Sequence, residues 1–362
     1  MAGKTKVIVG LSGGVDSSVA AYLLKKEGYE VTGVTMAIWD GKPGLVSSGK
    51  HTCYGPDENE EIEEARELAG ILEIPYRVFD CSGRYKSQVL DYFKKEYLSG
   101  RTPNPCVKCN QLIKFGMLPE AAKSEGIDFD YFATGHYARV EWDEQRKRYL
   151  LLKGFDPKKD QTYFIYRLTQ EQLSGILFPL GKLTKEEVRE MAAGIHIPLS
   201  GKEESQDFYS GDYKDLLGVV DTPGDIVDWN GNVLGKHNGI WNFTIGQRKG
   251  LGVAYSEPLY VLRLDKEMNH VVVGTHDEVV HTSFIVNDLN WIAFGSLKEP
   301  LEVKVKIRSA QKETDALLEP YGNDSVRVTF HIPNEGITPG QSAVFYQGDV
   351  VVGGGIIEKI VK

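Results

Sequence analysis

Short apolar runs alternate with helix-spaced apolar series through the first 200 positions. Strand-like runs fall at 6–10, 31–39, 76–79 and 131–134. Between them, 17–27, 58–72, 85–98 and 116–125 repeat apolar residues at three and four. In 58–72 these are Ile62, Ala65, Leu68, Ala69 and Leu72. Each strand–helix–strand unit predicts a parallel sheet with ligands beyond the carboxyl ends of its strands. A hairpin is predicted over 139–153, turning at 143–147, and helix returns over 170–194. After Ser200 the pattern changes. Glycine- and proline-marked turns at 222–225, 229–232 and 237–239 separate alternating runs such as 303–307, 326–330 and 343–346. The expected layout is a doubly wound α/β domain over 1–205, a small β-rich domain over 206–280 and an antiparallel barrel or sandwich over 281–362.

Composition narrows the class. The 362 residues are 41% hydrophobic and 26% charged, in the range of ordinary water-soluble domains. No apolar run approaches the ~18 residues of a membrane span. The chain enters its first strand without a secretory h-region, so a cytoplasmic protein is expected. Four cysteines do not suggest a disulfide framework and leave thiols for chemistry or metal. The net charge of −9 is concentrated at 57–67, where seven acids face only Arg66. These acids read as a solvated helix face. An RNA partner therefore needs local basic patches.

The first chemical motif follows the first strand. Ser12-Gly13-Gly14-Val15-Asp16-Ser17-Ser18 is a glycine-rich turn at a helix start, where backbone N–H groups and the helix dipole favour phosphate. It lacks the lysine of a G-x-x-x-x-G-K-[ST] loop. The S-G-G-x-D-S string resembles the ATP-pyrophosphatase (PP-loop) family, whose members place AMP on a carbonyl oxygen. The second motif, Arg101-Thr102-Pro103-Asn104-Pro105-Cys106-Val107-Lys108-Cys109-Asn110, reads as a rigid loop with a C-x-x-C pair. Lys108 and Lys114 are expected to favour thiolate there.

These strings, with A-T-G-H-Y-A-R, K-D-Q-x-Y-F, F-T-I-G-Q-R-K-G-L-G and P-G-Q-S-A-V-F-Y, together resemble the tRNA-specific 2-thiouridylase family from residue 10 to 357. The resemblance implies a PP-loop domain of the adenine nucleotide alpha hydrolase type, a central domain and a C-terminal β-barrel. It implies ATP-dependent 2-thiolation of the wobble uridine, position 34, of tRNA through an adenylated intermediate. Gly10, Leu11, Ser12, Gly13, Gly14, Val15, Asp16 and Ser17 would form the ATP cradle, with Met36, Gly135 and His136 lining the crevice. Asp16 suits a Mg²⁺ ion bridging the phosphates and equally a helix cap. Lys159, Asp160, Gln161, Arg308, Ser309 and Gln341 match tRNA-contacting positions. Lys304, Lys306 and Arg308 alternate with apolar residues, so one strand face would carry three cations. Cys109 occupies the first catalytic cysteine's position.

One position departs from the family pattern. The second catalytic cysteine of an S-Q-x-x-C string is replaced in Ser205-Gln206-Asp207-Phe208-Tyr209, and tyrosine cannot carry a persulfide. Two schemes can be written. In one, Cys106 and Cys109 pass a persulfide between them. In the other, here preferred, Cys106, Cys109 and Cys53 (Cys81 being the alternative) hold a [4Fe-4S] cluster whose open iron takes sulfide. Either needs a sulfur donor, a persulfide carrier protein or sulfide. Two rival readings are a PP-loop ligase acting on a small molecule and a non-catalytic tRNA-binding relative.

Overall fold

A computed structural model describes residues 3–42, 45, 52–195, 197, 208–209 and 211–361. The elements come in the expected order: β1 (Lys6–Gly10), α1 (Val15–Lys26), β2 (Glu30–Ala37), α2 (Glu58–Ile71) and β3 (Tyr76–Asp80). A helical run follows, α3 (Ser82–Tyr85), a wider π-type turn Lys86–Leu90 and α4 (Asp91–Leu98). A second run comprises α5 (Pro105–Cys109), the π-type turn Asn110–Met117 and α6 (Leu118–Ser124), and leads to β4 (Tyr131–Ala133). The hairpin is β5 (Ala138–Asp143) and β6 (Arg148–Lys153), then α7 (Thr162–Ile165), α8 (Gln170–Ser174), β7 (Ile176–Leu177) and α9 (Lys185–Gly194).

The sheet β3-β2-β1-β4-β7 is parallel throughout and reverses direction of growth between β1 and β4. That switch point opens a crevice beyond Gly10 and Ala133. Alternation along β1 sorts the two layers. Val7 and Val9 pack with Ala65, Ala69 and Leu72 of α2, while Ile8 packs with Val89, Ile113 and Phe115 on the other face. α9 lies on α1 through Val19, Ala20, Val188 and Ala192.

The 101–110 segment corrects the loop expectation. Pro105 sits in the first turn of α5, where a missing N–H is harmless, and Asn104 caps it through Oδ1, accepting from the Val107 N–H at 3.2 Å. Both motif cysteines are therefore helical. The acidic segment is also less solvated than expected. Glu58 turns back and accepts from the backbone N–H groups of Ile38 and Trp39, closing the end of β2.

Beyond 211 the chain is β-rich after α10 (Tyr213–Leu217). Strands β8 (Gly224–Val227), β9 (Val233–His237), β10 (Tyr260–Asp265) and β11 (His270–Gly274) form one sheet around Ile226, Val261, Val271 and Val273. After α11 (His276–Val279), β12 (His281–Trp291), β13 (Leu301–Lys306), β14 (Thr314–Tyr321), β15 (Ser325–Asn334), β16 (Ser342–Gln347) and β17 (Val350–Val361) make an antiparallel barrel closed by β12–β17. Glycines 353–355 of β17 let other chain segments approach; a Cβ on Gly354 would meet the Tyr166 ring at 2.7 Å. The β5–β6 hairpin leaves its own domain and joins this sheet through Leu152 and Val350. One core consequently runs from Ile8 and Phe132 to Val344, Tyr346 and Val351 of the barrel. Among the described residues, no helix is long and apolar enough to cross a membrane.

Candidate active site

The glycine-rich turn meets the crevice at the start of α1. Gly14 is the N-cap and no side chain caps the helix, so its first-turn N–H groups point at the crevice with no side-chain acceptor. Gly13 adopts φ +71°, and a Cβ there would press on the Glu61 carbonyl at 3.0 Å. The Ser17 hydroxyl accepts from the Ser12 N–H at 3.2 Å and donates to the Gly14 carbonyl, holding the loop's shape. Leu11 donates its N–H to Val34, and Thr35 donates its hydroxyl to the Leu11 carbonyl, which ties the loop to β2 beside Met36.

Gly135 closes the other side. A Cβ at this position would lie 2.7 Å from both Asp16 C and Ser17 N. The 134–136 segment can thus rest directly on the first turn of α1 only as glycine. His136 bonds Thr134 Oγ1 through Nδ1 at 2.7 Å and packs between Phe115 and Phe178. Burial, helped by Lys114, holds its pKa well below 6.5, so the ring is neutral.

Asp16 does not cap the helix. Its carboxylate accepts from Lys185 Nζ at 2.7 and 2.8 Å and from the Tyr137 hydroxyl at 2.9 Å. This pair joins α1 to α9. A magnesium ion taking Asp16 as ligand would compete with Lys185 for this carboxylate.

The thiols converge on the same crevice. Cys109 ends α5, directly before the π-type turn that carries Asn110, Lys114 and Phe115. That turn is held by Asn110 Nδ2 to the Phe164 carbonyl at 3.2 Å and Gln172 Nε2 to the Phe115 carbonyl at 2.9 Å. Burial pushes the Cys109 thiol up to about 12, against the lowering effect of Lys114, and charge on Cys53 or Cys81 would push it further. The expected thiolate is thus not the resting state, because desolvation outweighs the cation. Lys108 contributes no help to it, pointing instead toward Asp288 at 3.6 Å and the Tyr92 ring. Cys53 reaches solvent but is crowded by protein elsewhere, as expected in a crevice wall. Cys81 is fully buried. None of the four is in a disulfide. Among the described residues no three His, Cys, Asp or Glu side chains come together as a metal-binding group. The three thiols written for a cluster, Cys106, Cys109 and Cys53, all act on Tyr85 but are not preassembled as a metal-binding group among the described residues.

Residues 5–209 match the family described as tRNA methyl transferase HUP domain, 216–275 the tRNA methyl transferase PRC-barrel domain, and 281–357 the aminomethyltransferase beta-barrel domain. The chain is 52% identical over 355 residues to the tRNA-specific 2-thiouridylase MnmA of Endomicrobium trichonymphae, covering 97% of this chain and 98% of that one. It is 50% identical over 364 residues to MnmA 1 of Caldanaerobacter subterraneus subsp. tengcongensis, covering 99% of each. The chain belongs to the tRNA-specific 2-thiouridylase family.

The positions expected to contact RNA lie in two places. In the loop after β6, Lys159 is followed by two side chains turned inward. Asp160 accepts from the Gly154 and Thr162 N–H groups, and Gln161 Oε1 accepts from the Tyr137 N–H at 3.0 Å. Burial holds the Asp160 carboxyl above its usual range. On the barrel, the three-cation row is only partly free. Lys304 pairs with Asp315 at 2.8 Å on β14, and Arg308 bends inward to Thr338 Oγ1 at 2.8 Å and the Ile245 carbonyl at 3.2 Å. Arg308 walls a cavity of about 490 Å³ with Ile245, Gly246, Arg248 and Gly336. Its Nε and the nearby Gln311 Oε1 have no hydrogen-bond partner among the described residues. Ser309 is exposed and Gln341 half-buried. Ser205, Gln206 and Asp207 lie outside the described residues. Tyr209 is buried, and its hydroxyl donates to Asp215 Oδ2 at 3.1 Å.

Sequence reasoning missed Lys185, Tyr137 and Tyr85. Lys185 is far from Asp16 in the chain and no local pattern links them. Tyr85 is buried where the charges of Cys109, Cys53 and Cys106 would all reach it.

Proposed function

We propose that the chain uses ATP to thiolate a tRNA uridine at C2, the activity named for its relatives. The observation that carries this reading is the uncapped start of α1, opposed by Gly135 at the switch point, in one crevice with Cys109, His136 and Lys114. ATP phosphates would take N–H groups of the turn from Gly13 to Ser17, with Met36 beside the adenine. The wobble uridine must leave its stack for its O2 to reach the α-phosphate. Attack there releases pyrophosphate and leaves AMP on O2, turning a poor leaving oxygen into a good one. The residues supply in-line positioning and charge neutralisation. Lys114, whose charge acts on Cys53, Cys109 and His136, would offset negative charge on the incoming sulfur. Lys159, Arg308, Ser309 and Gln341 would take the RNA, Asp160 and Gln161 holding the first of these loops in shape. Magnesium would accompany the ATP and offset the charge of its phosphates. Sulfur would be handled at a thiol site that includes Cys109, on which Cys53 and Lys114 both act.

The test is AMP and pyrophosphate formation from ATP with and without tRNA, followed by nucleoside analysis of the product. tRNA-dependent release together with 2-thiouridine at the wobble position is expected. ATP cleavage without tRNA, or with a small carbonyl substrate in its place, would overturn the reading in favour of a ligase. No cleavage at all would favour a binding protein.

A further inference from the structure

A persulfide relay needs two thiols, one to carry the sulfane sulfur and one to release it. Cys106 sits with Cys109 at i and i+3 of α5, where β-carbons are about 5–6 Å apart. A disulfide requires roughly 3.5–4.5 Å between them. That pair closes only if the helical turn capped by Asn104 unwinds. Cys81 is sealed in the core at 0% exposure, out of reach of a donor.

Cys53 has neither handicap. It is solvent-exposed in the loop before α2, and Cys109 packs against the same cluster as the adjacent Tyr54, with Tyr85 and Phe208, so that charge on Cys53 raises the Cys109 thiol. The same cation, Lys114, opposes the effect of burial at both. Its neighbour Tyr54 is fully buried, stacks on Tyr85 at 5.5 Å, and donates its N–H to the Phe208 carbonyl at 3.0 Å. The loop bearing Cys53 is thereby bonded to the very segment in which Tyr209 stands.

Resting on the thiolation reading, we propose that Cys53 is the second thiol of the reaction: it carries the sulfane sulfur and Cys109 resolves it. The Cys53 thiolate attacks the terminal sulfur of a donor persulfide, and the donor leaves as its thiolate. The terminal sulfur of the Cys53 persulfide then adds to C2 of the adenylated uridine, and AMP departs with the C2–O electron pair. Cys109, as thiolate, attacks the Cys53 sulfur of the C2–S–S–Cys53 link. The S–S bond breaks toward the base, whose N3 recovers the proton lost on adenylation. A Cys53–Cys109 disulfide remains, and a dithiol reductant restores both thiols at the expense of two electrons.

The test uses the full chain with tRNA, ATP, a persulfide-bearing donor and an iron chelator, in a single turnover without reductant. Non-reducing peptide mapping of the wild type is expected to find a Cys53–Cys109 disulfide, retained in Cys106→Ala. Cys53→Ser is expected to keep tRNA-dependent pyrophosphate release and lose thiolation. A Cys106–Cys109 disulfide in its place, undiminished thiolation by Cys53→Ser, or wild-type activity that stops in chelator and returns with iron would each overturn the assignment while leaving the tRNA reading intact. Wild type that splits no ATP with tRNA would overturn both. The mapping needs no variant, so misfolding of Cys53→Ser would not blunt it.

Discussion

Gly135→Ala is the substitution that most directly probes the architecture of the crevice. The added Cβ would stand 2.7 Å from Asp16 C and from Ser17 N, and 3.0 Å from the Asp16 carbonyl. All three are backbone atoms of the first turn of α1, so no side chain can rotate away. Either β4 or α1 must move by several tenths of an ångström. Overpacking of this kind costs about 1–3 kcal/mol. In a domain of this size that lowers Tm by roughly 2–4 °C per kcal/mol. The effect on turnover is expected to be larger than on stability, because the displaced turn is the one offering its N–H groups to the phosphates. A shift near 1 Å in reacting geometry costs on the order of 10²-fold. The assay is tRNA-dependent pyrophosphate release at saturating ATP, run beside thermal unfolding. Gly70→Ala in α2 is the control, since nothing lies within 4 Å of its Cβ position. It should gain about 0.5–1 kcal/mol and keep full activity. If Gly135→Ala released pyrophosphate at the wild-type rate, the phosphates would not sit at this turn and the site would be misplaced.

Four further outcomes follow from the contacts. Asp16→Asn removes the carboxylate charge that faces the Lys185 ammonium, only 12% exposed, and should cost about 1.5–3 kcal/mol in urea unfolding. The double variant with Lys185→Met should recover most of that loss; activity that stays absent in it would give Asp16 a role beyond the ion pair. Arg101→Ala removes bonds to the Glu96 carboxylate and to the Ile357 and Glu358 carbonyls, each charge-assisted bond contributing about 1.5–3 kcal/mol. It should reduce thiolation more than ATP cleavage, measured on the same preparation. His136 has a folded pKa far below its unfolded 6.5, so its contribution is present above that pH and lost as pH falls below it. Unfolding free energy followed from pH 7.5 to 5 should show this slope, and His136→Gln should flatten it.

The strand at Lys6–Gly10 and the glycine turn after it are readable because both follow from local chemistry: an apolar alternation, then residues that permit φ +71° at Gly13. The antiparallel strands of the C-terminal part were likewise visible in their alternating runs, but closure into a barrel rather than a sandwich depends on the long-range β12–β17 pairing. The helix at Pro105 was not, since proline before and after Asn104 signals a bend equally well. Only the cap from Asn104 to Val107 decides it. The Asp16–Lys185 pair spans 169 residues and the Tyr54–Phe208 bond 154, so neither leaves a mark in any window of sequence. Thiol acidity failed for a related reason. Lys114 at five residues from Cys109 is visible in the chain, but the burial that overrides it is a property of the packed core. The hairpin was legible as a hairpin; its membership in the barrel sheet depends on Val350 and Leu152, which only the tertiary fold brings together.

These long-range contacts give the C-terminal barrel a second task besides offering a surface. Thr102 donates its N–H to the Pro339 carbonyl at 2.9 Å, and Gly340 lies so close to Thr102 that a Cβ would meet its backbone at 2.9 Å. Tyr163 and Tyr166 reach from α7 to the Ser342 carbonyl and hydroxyl at 3.1 and 3.2 Å. Arg167 bonds Gln111 in the π-type turn and Asp288 on β12, both at 2.8 Å. The helix that presents Cys109 is thus tied to the barrel directly at Thr102, before its N-terminus, and through Arg167 at Gln111, after its C-terminus. Core packing at this density deforms little. An RNA held on the barrel by Arg308 and Gln341 would be referenced to Cys109 through fixed contacts, without a hinge between them. Loosening the grip at Arg101 would therefore be felt at the sulfur step, where base and thiol must meet, before it is felt at the ATP loop on the far side of the crevice.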